Sequence, residues 1–136
     1  MNYLLDTNAC IALMSAPTNA VQTRFAQVFR KDGKFFTSSI VAFELWYGVF
    51  KSQRPEDNTK RCEMFFAGPI EVLGFHNGDA KIAGELRAKL ESVGKSIGAY
   101  DLLLAGQAMS GNMTLVTANV SEFSRVKGLK WEDWSK

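Results

Sequence analysis

The sequence predicts an α/β protein built on a mostly parallel sheet with helices on both faces. Short apolar runs of strand length recur at residues 3–5, 35–37, 70–73, 113–116 and 129–131. Longer segments with apolar residues at helical spacing lie between them, and that alternation is the signature of parallel strand pairing. Three strand candidates end in small polar residues: Asp6-Thr7-Asn8, Ser38-Ser39 and Thr117-Ala118-Asn119. In an open parallel sheet the strand carboxyl ends share one edge, and ligands gather there.

The elements follow in order. Tyr3-Leu4-Leu5 is a buried strand that stops at Asp6, and residues 9–14 form a short apolar helix. Asp6, Thr7 or Asn8 can cap that helix. Pro17 breaks the chain, and Thr18 is placed to cap a second helix with Val21, Phe25, Val28 and Phe29 on one face. After the strand at 35–37, a helix carries Ile40, Phe43, Glu44, Tyr47 and Phe50, whose apolar members suit a core or an interface. Residues 51–58 are polar, contain Pro55 and read as a loop before a helix at 59–66 with Cys62, Phe65 and Phe66 inward. Asp79 is placed to cap a long helix through Val93, with Ala83, Leu86, Leu90 and Val93 as its buried stripe and Gly94 after it. Gly98 precedes an almost wholly apolar helix at 99–110, in which Asp101 is the only charge. Trp131 and Trp134 close the core or a subunit contact.

Composition narrows the function. A length of 136 residues suits one domain, 1–136. A net charge of +2 does not announce a nucleic-acid binder, so RNA binding would need a local patch. Arg125, Lys127 and Lys130 are the densest basic run for it. Cys10 and Cys62 form no CxxC pair and His76 is the only histidine, which argues against zinc or a disulfide framework and for a reducing cytoplasm. The start lacks the basic region of a secretory signal, and no apolar run approaches the roughly 20 residues of a membrane span.

Three acids stand out against apolar surroundings. Asp6 ends a buried strand, Glu44 sits in the helix after another, and Asp101 opens an apolar helix; each also has a reading as a helix cap or dipole-stabilised acid. With Asn119 at a further strand end, they make an oxygen-only set with no histidine. Such a set suits hard cations such as Mg²⁺ or Mn²⁺, which can acidify water and neutralise a phosphoryl oxygen. His76, Asp79, Glu122, Glu132 and Asp133 read as loop, capping or solvated residues.

These stretches carry a resemblance. Leu5-Asp6-Thr7-Asn8, Ser38-Ser39-Ile40 leading to Glu44, Ile97-Gly98-Ala99-Tyr100-Asp101, and Leu115-Val116-Thr117-Ala118-Asn119 stand in an order and spacing that resemble the PIN-domain family, and within it the VapC-type toxins of toxin–antitoxin pairs. The likeness extends through Glu122-Phe123 to Trp131-Glu132-Asp133-Trp134. It implies a three-layer α/β/α PIN-like fold with a central mostly parallel sheet of four to five strands. It also implies a Mg²⁺-dependent endoribonuclease, with Mn²⁺ able to substitute. Asp6, Asp101 and Glu44 match the family's metal ligands, Asn119 a fourth catalytic position often filled by aspartate, and Thr7 and Thr117 hydroxyl positions beside the acids. The implied partners are an RNA substrate, a cognate antitoxin whose tail occupies the active-site groove, a second copy in a homodimer and a larger toxin–antitoxin assembly, with no membrane. Trp46 and Tyr47 are candidates for the antitoxin contact. The competing readings are a non-catalytic PIN-like module binding RNA or protein, and a related metal-dependent nuclease acting on DNA.

Overall fold

The computed structural model describes residues 1–136. In chain order the elements are β1 (Asn2–Leu5), α1 (Thr7–Met14), α2 (Ala20–Arg30), β2 (Lys34–Ser38), α3 (Ser39–Lys51), α4 (Pro55–Phe66), β3 (Ile70–Leu73), α5 (Asn77–Ser92), α6 (Ala99–Ser110), β4 (Thr114–Val116), α7 (Val120–Phe123) and β5 (Trp131–Glu132). The strands form one sheet in the order β3-β2-β1-β4-β5, and every pairing is parallel. Helices cover both faces, giving three layers, α/β/α. No helix is long and apolar enough to cross a membrane.

The central strand explains the first apolar run. Leu4 pairs in register with Phe36 on one side and Leu115 on the other, and Leu4 and Leu5 are fully buried on opposite faces of the sheet. A strand covered on both faces has no polar positions to alternate, so it reads as continuous apolar sequence. On one face Tyr3 and Phe35 are cross-strand partners, and Phe25 and Trp134 close over them with ring centroids 4.1 Å from Phe35 and 5.3 Å from Tyr3. Trp134 is therefore a core residue, and burying a side chain of this size contributes on the order of 1.5–3 kcal/mol or more.

The chain moves outward from β1 to β2 and β3, then returns to place β4 on the other side of β1. The direction of winding reverses between β1 and β4, and in doubly wound sheets that point leaves a crevice at the strand carboxyl ends. Asp6 follows β1 directly, and Thr117 to Asn119 follow β4.

Several element boundaries differ from expectation. Asn19, not Thr18, caps α2, its Oδ1 accepting the Gln22 amide at 3.0 Å. The loop at 51–58 shrinks because α4 already begins at Pro55, a first-turn position where the missing N–H costs nothing. Asp79 lies three residues inside α5 and accepts the amide of His76, the capping residue, at 2.9 Å. β5 is displaced to Trp131–Glu132, where Thr117 N–H donates to Glu132 O at 3.0 Å. The short helix α7 is an addition to the expected elements. Phe43, Tyr47 and Phe50 on α3 are exposed by 56%, 59% and 70%, so they belong to no core of this chain.

Helix α6 lies close against α5. A Cβ on Gly106 would stand 2.7 Å from that of Ala83, so only glycine permits this approach. The contact fixes the helix that carries Asp101.

Candidate active site

Asp6 takes its place from the sheet and from the helix after it. Its amide continues the β1–β4 ladder by donating to Val116 O at 3.1 Å, while its Oδ1 accepts the Ala9 amide at 2.8 Å. It is both the first residue beyond β1 and the cap of α1, so the two sequence readings describe one residue. It is buried, and burial pushes its pKa up. The Ala9 amide and the Thr117 hydroxyl oppose that rise, while the charges of Glu44 and Asp133 add to it.

Glu44 is the sixth residue of α3, past the first turn, so the helix N-terminus does not account for it. Its carboxylate accepts the Thr7 hydroxyl at 2.7 Å. Thr7 opens α1, so this bond ties the helix after β1 to the helix after β2.

Asp101 is the third residue of α6, where helix amides favour a carboxylate. Its pKa is nonetheless raised to about 7 by burial first, then by the neighbouring Glu122, with Asp6 adding repulsion. The Asn119 side-chain amide opposes this, donating to Asp101 Oδ2 at 2.8 Å and to Glu122 Oε2 at 3.2 Å. Hydrogen bonding to the Asp101 carboxyl holds the Glu122 pKa low in turn, so the two carboxyls titrate together as a pair.

Glu122 is the residue that the sequence reading set aside. It lies in α7, three residues after Asn119, which turns both side chains to one face. It also accepts the Gly98 amide at 3.3 Å. The sequence signals for it were its spacing from Asn119 and its place in the Glu122-Phe123 stretch of the resemblance.

The structure thus brings Asp6, Glu44, Asp101, Asn119 and Glu122 to one edge, each through the electrostatic and hydrogen-bond links just given. Thr7 holds Glu44. Thr117 is buried, touches Asp6 and accepts the Asn119 amide at 3.0 Å. As placed, no three acidic, His or Cys side chains converge closely enough to hold one metal ion. The carboxylates accept hydrogen bonds from Thr7, Ala9 and Asn119. The donor set is all oxygen and carries a raised proton affinity at Asp101, which fits a hard divalent cation and suits neither zinc nor copper.

Other candidates lie elsewhere. His76 caps α5 beside Gly74. Glu132, expected to be solvated, accepts Trp134 Nε1–H at 2.8 Å and approaches Arg24. Trp46 packs on the core near Phe66, while Tyr47 is exposed. Arg125 donates to Ser96 O at 2.8 Å, and Lys127 and Lys130 are exposed. A groove of about 320 Å³ between α1, α3 and α4 opens beside Glu44, floored by Ile11, Met14, Leu45 and Cys62 with Arg61 at its rim.

Comparison with known proteins places this geometry. The PIN domain family model matches residues 3–129. The tRNA(fMet)-specific endonuclease VapC of Shigella flexneri is 39% identical over 135 residues, covering 99% of both chains. Ribonuclease VapC2 of Rickettsia felis is 38% identical over 136 residues, the full length of both. Among solved structures, VapBC2 from Rickettsia felis bound to a promoter DNA fragment superposes with a TM-score of 0.90 at 36% identity, covering 98% of this chain and 99% of that one. DNA-bound VapBC from Salmonella typhimurium gives 0.88 at 36% identity, covering 98% of both chains.

Proposed function

The chain belongs to the PIN-domain family, and from that premise we propose that it is a Mg²⁺-dependent endoribonuclease, the toxin of a toxin–antitoxin pair acting in the cytoplasm. One observation carries the reading. Asp6, Glu44, Asp101 and Glu122 crowd the carboxyl edge of the sheet at the winding reversal, where burial and then the neighbouring Glu122 raise the Asp101 pKa to about 7. A site built only to be stable would not keep four acids there. Full-length likeness to ribonucleases supports the substrate class.

Asp6, Asp101 and Glu44 would hold the cation, with Glu122 reaching the same edge. When bound, a divalent cation supplies Lewis-acid chemistry, lowering the pKa of water and neutralising charge on a phosphodiester. The protein residues supply the rest. Asp6 is fixed by the Ala9 amide and by burial, so it is the rigid member. Glu44, held by the Thr7 hydroxyl, is placed to orient or deprotonate the attacking water. Asn119 bridges Asp101 and Glu122 with two N–H bonds, which keeps these two anions side by side. Asp101 would have to be ionised to hold the cation, and its raised pKa of about 7 makes that ionisation depend on pH in this range.

A cognate antitoxin completes the proposal, since the solved relatives are VapBC assemblies. The groove beside Glu44 and the exposed Tyr47 face of α3 are the surfaces offered to it, and a homodimer within a larger assembly fits the same reading.

The test is direct. Expression of the chain alone should arrest growth, and Asp6→Ala or Asp101→Ala should relieve it. Purified protein should cleave RNA with Mg²⁺ or Mn²⁺ and stop with chelator. Soluble wild-type protein that neither arrests growth nor cleaves RNA in either metal sinks the proposal.

A further inference from the structure

Three side-chain contacts fasten α7 and the turn after it to the entry of α6. Asn119 Nδ2 donates to Asp101 Oδ2 at 2.8 Å, the Glu122 carboxylate accepts the Gly98 amide at 3.3 Å, and Arg125 Nη1 donates to Ser96 O at 2.8 Å. One strand of contacts steps through 119, 122 and 125 while the other steps back through 101, 98 and 96. The two segments therefore run antiparallel, with about one rung per turn. Candidate site residues make the first two rungs. Arg125, which makes the third, lies near enough to Glu122 for its charge to favour that carboxylate.

The segment it grips has little else to hold it. Gly94 adopts φ +69° and the following Lys95 and Ser96 are exposed. Ile97 rests against the core, and the Lys95 amide closes the end of α5 on Leu90 O. Between that closure and the first turn of α6, the side-chain anchors are Arg125 on Ser96 and Glu122 on Gly98. The Arg125 guanidinium has no carboxylate within 4 Å, so its partner is the neutral carbonyl and not an ion pair. A planar fork of donors suits a carbonyl that must be held in one direction.

We propose that Arg125 is a positioning residue of this site. By holding the Ser96 carbonyl it fixes the 95–98 segment, so the Gly98 amide meets Glu122 and Asp101 enters α6 facing Asn119. The assignment rests on the metal-dependent reading above, and it acts through Glu122 and Asp101 rather than on the substrate.

The experiment uses the full chain and its Arg125→Ala variant. The measurements are Mn²⁺ affinity by titration calorimetry, amide exchange at Gly98 in chelator, and RNA cleavage across a range of salt. Arg125→Ala should weaken Mn²⁺ binding about tenfold, the lower end of the loss when a group orienting a ligand is removed. It should speed exchange at Gly98 and leave the salt dependence of KM for RNA unchanged. Arg125→Lys, which keeps reach and one donor, should recover part of the Mn²⁺ affinity. Unchanged Mn²⁺ affinity and exchange, with KM raised and its salt slope reduced by about one, would mean a phosphate contact and overturn the proposal. The wild-type exchange provides a reading that needs no variant: an unprotected Gly98 amide also overturns it. Wild-type protein that binds no Mn²⁺ and cleaves no RNA brings down the proposed function and this assignment together. Wild-type protein that does both, matched by Arg125→Ala, brings down only the assignment.

Discussion

The Thr7 hydroxyl and the Glu44 carboxylate, 37 residues apart, meet at 2.7 Å across the mouth of the sheet. The bond supplies Glu44 with the donor that its own helix, past the first turn, does not. Removing it should free the carboxylate to rotate. Thr7→Ala is expected to lower RNA cleavage about tenfold to a hundredfold, mostly in kcat, with folding stability down by only about 1 kcal/mol. Thr7→Ser, which restores the hydroxyl, should return most of the activity. Equal cleavage by Thr7→Ala and wild type would show that Glu44 needs no such restraint.

Asp101→Asn separates charge from shape. The asparagine oxygen can still accept from Asn119, while the repulsion from Glu122 and Asp6 disappears. At pH 7.5 in chelator the variant should melt at or above the wild-type temperature. Its cleavage should fall by about a hundredfold or more, as when a group meeting transition-state charge is removed. A variant that is both less stable and fully active would contradict the placement of Asp101 on the acidic edge.

The same carboxyl makes metal-free stability depend on pH. The folded pKa of Asp101 is about 7, above the roughly 3.9 of an unfolded aspartate. Its stabilising contribution is therefore complete below the unfolded value and is lost as pH rises through about 7. Asp6 is shifted in the same direction. Glu122 and Asp133 are shifted downward, and their opposite contribution changes at lower pH, outside this window. Calorimetry in chelator between pH 5 and pH 8 should show a falling melting temperature, and Asp101→Asn should flatten the trend. A melting temperature that rises over that range would reverse the assigned sign.

Much of this site was legible because a polar residue interrupts an apolar run at each of its corners. Asp6 stops a buried strand, and Asp101 is the one charge in an apolar helix. Thr117 to Asn119 end another buried strand. Glu122 escaped because α7 is a single turn, too short to show a period, and its acid looks like any surface acid. β5 was misplaced because it holds two residues and pairs through its backbone, which side-chain pattern does not report. Pro55 reads as a breaker, yet the first turn of a helix tolerates proline. Phe43, Tyr47 and Phe50 mark a further limit. Helical spacing shows that a face is apolar, but not whether its own chain or another covers it.

The side-chain amide of Asn119 has a purpose in this structure. Its Nδ2 donates to Asp101 and Glu122 together, at 2.8 Å and 3.2 Å. An aspartate there has no N–H to give, so Asn119→Asp would remove both bonds and add a fifth negative charge to the edge. Losing hydrogen bonds to charged groups costs about 1.5–3 kcal/mol each, discounted here because the site is partly exposed. In chelator, Asn119→Asp should therefore melt well below wild type. Added Mn²⁺ should close the gap, because a fourth carboxylate strengthens the grip on a hard cation. The melting temperatures of both proteins with and without Mn²⁺ decide the matter. An Asn119→Asp chain as stable as wild type in chelator would mean that the amide bridge is not what keeps Asp101 and Glu122 together.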